Sequence, residues 1–146
     1  AYCSFPGEAV GKGKLIPPYL DALLWELEEA EKLFCQAKLG LRAVYVGGGT
    51  PSLLSAAQLA ELCVLLQKEF GPISALTEST CEANPESLTP EKLTVLKNFG
   101  FTRLSLGLQS LDDKELKLLG RVHTRADFSR AYQAARAAVG GSAKFR

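Results

Sequence analysis

Apolar residues change their spacing several times along this chain, and each change marks an element. Leu20, Leu23, Leu24, Leu27 and Phe34 recur at helical spacing behind Pro17 and Pro18, which a first helical turn tolerates. They predict a helix from the two prolines to about Lys38, with Gly40 as its C-terminal cap and "WELEEAEK" as its solvated side. "LRAVYV" is a short β-rich run, closed by Gly47-Gly48-Gly49-Thr50-Pro51. Ser55 and Gln58 form a capping box for a second helix whose inner face is Leu59, Leu62, Leu65, Leu66 and Phe70. "ALTESTCEAN" is a weaker strand, rich in threonine and poor in bulky apolar residues. Thr89 and Pro90 open a third helix that stops at Gly100. "TRLSLGLQ" alternates cleanly, setting Leu104, Leu106 and Leu108 against Arg103, Ser105, Gly107 and Gln109. Asp112 and Glu115 suggest another capping box for a helix ending at Gly120, and a last helix runs from near Thr124 to about Val139.

Helix, then strand and helix three times over, then a further helix: this order implies an α/β fold with a parallel sheet and outer helices. Three strands cannot close a barrel, and another strand is expected where the sequence ends. Left open, such a sheet has an uncovered face and bare edges. The pattern therefore predicts part of a larger α/β barrel or sheet. The polar face of "TRLSLGLQ" would then point into the lumen. In parallel α/β folds, ligand sites lie at the carboxyl ends of the strands.

Composition narrows the function classes. Seventeen basic and sixteen acidic residues are interspersed and leave a net charge of +1, so neither a nucleic-acid footprint nor a polybasic membrane anchor is expected. No apolar run is long enough for a membrane span, and the start carries no signal-peptide pattern. Cys3, Cys35, Cys63 and Cys81 are too scattered for a secreted disulfide framework, which points to a reducing cytoplasm. Cys35 and Cys63 fall among apolar helix neighbours and read as small core residues, and Cys81 should face away from Glu82. The absence of methionine suggests a fragment.

All three strands end unusually, in Gly47-Gly48-Gly49-Thr50-Pro51, in Glu82-Ala83-Asn84-Pro85 and in Gly107-Leu108-Gln109-Ser110, on one common rim. A glycine run lets a ligand approach the backbone, although it also suits a tight strand–helix turn. Neither the phosphate-loop nor the dinucleotide spacing is present. Arg121 suits the C-terminal end of its preceding helix, and His123 a surface turn.

Taken together, "AYCSF", "YVGGGTPSLL", "EANPESLT" and "GFTRLSLGLQSLDDKELKLLGRVHT" resemble the radical S-adenosylmethionine proteins of the oxygen-independent coproporphyrinogen III oxidase and heme chaperone (HemW) family. The resemblance runs from Ala1 to about Ala138, and it implies that residues 1–146 are one incomplete core domain, the N-terminal part of a partial (β/α) barrel cut at both ends. It implies that Cys3 is the third cysteine of a Cys-x-x-x-Cys-x-aromatic-Cys loop holding a 4Fe-4S cluster, with Tyr2 as the aromatic residue near the adenine. The first two cysteines would precede Ala1, so that the piece alone would be inactive. It further implies that S-adenosylmethionine chelates the open iron and yields a 5′-deoxyadenosyl radical once an electron donor reduces it. Gly47, Gly48, Gly49 and Thr50 would bind its amino end, Arg121 its carboxylate, and Glu82 and Gln109 its ribose and nearby polar atoms.

Within the family, the oxidases carry Cys-x-Cys where this chain has Cys3-Ser4-Phe5, which resembles the chaperone branch. A porphyrinogen dehydrogenase branch shares Cys-Ser-Phe-Pro. The expectations are therefore a heme chaperone, binding heme and passing it to an acceptor protein, or an oxidase or dehydrogenase acting on a porphyrinogen. A nonenzymatic remnant is the third reading. Under the chaperone reading His123 is a candidate heme ligand.

Overall fold

The computed structural model of the chain describes residues 13–139 and 144–145. A long helix, α1 (Ile16–Gln36), leads into strand β1 (Ala43–Val46) and helix α2 (Ala56–Phe70). Then follow β2 (Glu78–Ala83), α3 (Pro90–Asn98), β3 (Arg103–Leu106), α4 (Asp113–Leu118), α5 (Arg125–Val139) and β4 (Lys144–Phe145). The strands form one sheet in the order β1-β2-β3-β4, each pair parallel. A fourth strand is thus present within the chain, where only three were expected. At two residues it is too short to show an alternating pattern.

Hydrophobic burial holds the helices to one face of this sheet. Leu104 and Leu106 of β3 and Cys81 and Ala83 of β2 join Leu59, Leu62 and Leu66 of α2, Leu93 and Leu96 of α3, and Phe128 and Ala135 of α5 in one core. Leu20 anchors α1 there, while Leu23, Leu24 and Leu27 pack against it and Phe34 meets Phe70 edge-on with ring centres 5.7 Å apart. Neighbouring helices touch in the sequence α1, α2, α3, α5, parallel to the strand order.

Strand β2, the least apolar by sequence, pairs on both sides. Its buried hydroxyls are satisfied locally: Ser79 Oγ donates to Gly100 O at 3.0 Å, and the Ser79 and Thr102 amides each donate to the other's side-chain oxygen. A buried polar group so bonded costs little, and a Ser-Thr pair therefore fits a central strand. Opposite the core, Thr80 Oγ1 accepts from Arg103 Nε at 2.8 Å, and Arg103 Nη2 pairs with Glu78 at 2.8 Å. The second face of the sheet is polar, as the alternation required.

Local caps agree in part with the expected ones. Ser55 and Gln58 make the reciprocal capping box at α2, and Thr89 caps α3. At α4 the expected box is replaced: Asp112 accepts from the Lys114 amide, and Glu115 turns back to take the Ser110 hydroxyl instead. Helix α1 ends before Gly40. Lys38 takes the left-handed turn (φ 54°), with Lys38 N donating to Cys35 O and Leu39 N to Phe34 O, the Schellman pattern.

Candidate functional site

The carboxyl ends of β1, β2 and β3 meet in a continuous polar rim. It begins at Glu82 on β2, where Oε1 accepts from the Tyr45 hydroxyl and Oε2 from the Gly48 amide at 3.3 Å. Gly47 has no room for a side chain, since a Cβ there would sit 2.5 Å from the Tyr45 ring and 3.1 Å from the Glu82 carboxyl carbon. Around Gly49 nothing lies within 4 Å of that position. The chain then runs through Gly48, at φ 116°, a conformation glycine adopts without steric cost. The result is bare main chain beside a carboxylate.

Asn84 continues the rim. Its Nδ2 donates to Thr50 Oγ1 at 3.3 Å, and its Oδ1 accepts from Arg121 Nη2 at 2.6 Å. One side chain thereby joins the glycine loop to the loop after α4. Arg121 is aimed by its own helix end: Gly120 takes φ 73°, Gly120 N donates to Lys117 O, and Arg121 N donates to Leu116 O. Its backbone closes α4 as the sequence suggested, while its side chain crosses to the rim. At Gly107 a Cβ would lie 2.9 Å from Asn84 Oδ1, 3.0 Å from Gln109 Nε2 and 3.2 Å from Arg121 Nη2. Gln109 is not a residue of β3, which stops at Leu106, so strand alternation does not place it. A left-handed turn (φ 67°) with Ser110 N bonded to Leu108 O brings it in.

Beneath the rim lies a second polar layer. Ser52 Oγ accepts from the Asn84 amide at 3.0 Å and lies 2.6 Å from Ser87 Oγ. The Lys92 ammonium donates to Ser52 O at 2.6 Å and Ser87 O at 2.7 Å, tying the β1–α2 loop to the β2–α3 loop. Burial lowers the Lys92 pKa from its usual 10.5, with the charge of Glu91 opposing.

The structure thus unites Gly47, Gly48, Gly49, Thr50, Glu82, Gln109 and Arg121. Tyr2 and Cys3, with Ser4 and Phe5, lie outside the described residues. Tyr45, Asn84, Ser52 and Lys92 were not foreseen as parts of the site. Tyr45 could have been found from alternation, because Val44 and Val46 pack against the core and leave it facing the other way. Two residues depart from expectation. His123 is buried, not a surface turn residue: its side chain has no exposed area, and both nitrogens face protein atoms. Cys35 is exposed on α1, its thiol donating to Glu31, because the apolar stripe of that helix passes beside it. Cys63 and Cys81 are buried and free, and burial pushes both thiols up to about 12. Among the described residues no group of three or more His, Cys, Asp or Glu side chains could hold a metal ion, and no helix is long and apolar enough to cross a membrane.

Helices along one face of a parallel sheet, with a bare glycine loop and convergent polar groups at the strand ends, define an α/β protein whose polar rim lies where such folds place their ligand sites. Residues 1–143 match the family model of the radical SAM superfamily, and the chain belongs to that superfamily. It is 38% identical over 138 residues to the heme chaperone HemW of Bacillus subtilis (strain 168), covering 92% of this chain and 35% of that protein. Over 138 residues it is 30% identical to the oxygen-independent coproporphyrinogen-III oxidase-like protein HemZ of the same organism, with coverages of 93% and 28%. The solved structure of coproporphyrinogen III oxidase (HemN) from Escherichia coli, a radical SAM enzyme, superposes with a TM-score of 0.81 at 28% identity, covering 94% of this chain and 31% of that one. The chain therefore spans about a third of the length of these relatives. Superfamily membership implies S-adenosylmethionine and a 4Fe-4S cluster as cofactors.

The rim fits the first of these. Its donors and acceptors comprise a carboxylate, two amides, two hydroxyls, a guanidinium and exposed main chain. Those groups can serve an amino-acid end carrying both charges and a ribose diol. Of the described cysteines, Cys35 is exposed on α1 and Cys63 and Cys81 are buried in the core.

Proposed function

We propose that residues 1–146 are part of the core domain of a protein of porphyrin and heme metabolism that binds S-adenosylmethionine at this rim, and that the protein is a heme chaperone. The observation that carries the binding reading is the placement of two hydrogen-bonded sets, Tyr45–Glu82–Gly48 and Thr50–Asn84–Arg121, at the same strand ends. Glu82 and Gln109 meet the ribose and adjoining polar atoms. Arg121, steadied by Asn84, meets the carboxylate, and the main chain of Gly47, Gly48 and Gly49 with Thr50 lies along the amino end. Tyr2 borders the adenine. Cys3 is one of the thiolate ligands of the cluster. Together the cluster and S-adenosylmethionine held there would supply radical chemistry on receiving an electron. The fixed hydrogen bonds of the rim orient it without further reorganisation.

The chaperone reading rests on Ser4-Phe5 after Cys3 and on the likeness to proteins named HemW. Heme is then the ligand, a heme-accepting protein the partner, and the reducing cytoplasm the compartment. The alternative, an oxidase or dehydrogenase of coproporphyrinogen, is favoured by the likeness to HemN and HemZ. The test uses the full-length gene product with its cluster reconstituted anaerobically. Stoichiometric heme uptake and transfer to an apo-acceptor, without porphyrinogen turnover, is the expected result. Turnover of coproporphyrinogen III without heme uptake would overturn the chaperone reading.

A further inference from the structure

His123 is a buried polar group that the binding reading leaves without a role. Its Nε2 lies 3.3 Å from Leu108 O, and its Nδ1 lies 3.2 Å from Glu86 Oε2. The residue next to Leu108 is Gln109, a non-glycine residue at φ 67°. The same carbonyl, Leu108 O, accepts from Ser110 N at 2.9 Å, so Gln109 is the centre of a tight three-residue turn. A side chain in this region is held there only when its surroundings over-determine it. Leu108 O is the point at which that happens, and His123 is the second group on it. Only one residue separates His123 from Arg121, so a single short loop places one side chain on Asn84 and the other on the carbonyl before Gln109.

We propose that His123 is a positioning residue that holds Gln109 in its left-handed turn on the S-adenosylmethionine rim. The inference rests on the binding reading above. His123 touches neither cofactor nor substrate: its ring ties the loop after α4 to the β3–α4 loop at Leu108 O, and the Glu86 carboxylate faces the other ring nitrogen from the β2–α3 side. This role also replaces the candidate heme ligation, since both ring nitrogens face the protein interior.

The test measures S-adenosylmethionine affinity by equilibrium dialysis on the cluster-reconstituted full-length protein, with thermal melting alongside. His123→Leu, which keeps the bulk and removes the donor, is expected to weaken binding about tenfold, the worth of one hydrogen bond. His123→Gln, whose amide nitrogen reaches a similar place, should restore affinity to within about threefold of the parent. If the leucine variant does not fold, His123→Asn takes its place, its amide falling short of Leu108. The discriminating measurement is made in a Gln109→Gly background, where the turn carries neither its steric cost nor its side chain. There His123→Leu should have no further effect on affinity. Equal affinity in parent and His123→Leu, no recovery with glutamine, or an undiminished effect in the Gln109→Gly background would each overturn the role. Glu82→Gln and Arg121→Gln separate the two levels. If neither weakens binding, the rim reading fails. If both do while His123→Leu does not, only the role of His123 falls.

Discussion

Replacing Gly107 with alanine perturbs the rim by one methyl group. The three atoms around the new carbon would lie at 2.9, 3.0 and 3.2 Å, against about 3.4 Å for ordinary contact, so Asn84 Oδ1, Gln109 Nε2 and Arg121 Nη2 must retreat by roughly 0.5, 0.4 and 0.2 Å. All three are ends of side chains, so the backbone need not move. Displacements of about 0.5 Å reach the tolerance within which a preorganised site works. The interaction most exposed to them is the 2.6 Å bond from Arg121 to Asn84. A hydrogen bond to a charged group is worth about 1.5–3 kcal/mol, which corresponds to a loss of roughly ten- to 150-fold in S-adenosylmethionine affinity. Core packing is untouched, and Tm should fall by no more than a few degrees, about what 1 kcal/mol produces in a domain of this size. Equilibrium dialysis with radiolabelled S-adenosylmethionine and calorimetry on the full-length protein give the two numbers. Unchanged affinity in a protein that melts normally would refute the reasoning, because the crowded atoms would then not be the binding surface.

Other consequences can be measured directly. Leu104→Ala empties a fully buried position at the centre of the sheet and should cost about 2–5 kcal/mol in a urea melt. Asp127 accepts the Thr124 amide and hydroxyl at the start of α5, and these bonds hold its carboxyl below the usual 3.8. Its contribution is therefore complete above 3.8 and lost as pH falls through the lowered folded value. Melts at stepped pH should show the gap between parent and Asp127→Ala narrowing in that acid range; a gap independent of pH would count against the cap. Peptide mapping after brief maleimide treatment at pH 8 should find Cys35 modified and Cys63 and Cys81 untouched until the protein is unfolded, as burial of the latter two requires.

Sequence pattern revealed all five helices and the first three strands, most of them because their energetics are local: an apolar stripe, a cap, a terminal glycine. Strand β2 was harder, since Ser79 and Thr80 are buried through hydrogen bonds to Thr102, Gly100 and Arg103, partners more than twenty residues away. Apolar spacing cannot report such bonds. Within the site, motif positions gave Glu82, Gln109 and Arg121, but the amide that joins Arg121 to Thr50 belongs to Asn84, which looks like an ordinary turn residue in sequence. Gln109 reaches the rim through a positive φ that favours glycine, so alternation gave the right neighbourhood for the wrong reason. His123 read as exposed because it follows a glycine turn in a polar stretch. Its burial depends on Leu108 and Glu86 arriving from two other loops.

Gly120 and Arg121 give α4 a constraint that its surface does not suggest. Leu118 is 88% exposed, and substitutions along that side meet only solvent. Yet Arg121 reaches Asn84 from a turn locked to the last carbonyls of the helix, so its direction is set by the number of residues from Asp113 to Leu118. One residue inserted into α4 would swing the guanidinium by about 100° and carry it about 1.5 Å along the axis. This helix behaves as a gauge block: indifferent to what its outer surface is made of, and intolerant of any change in length.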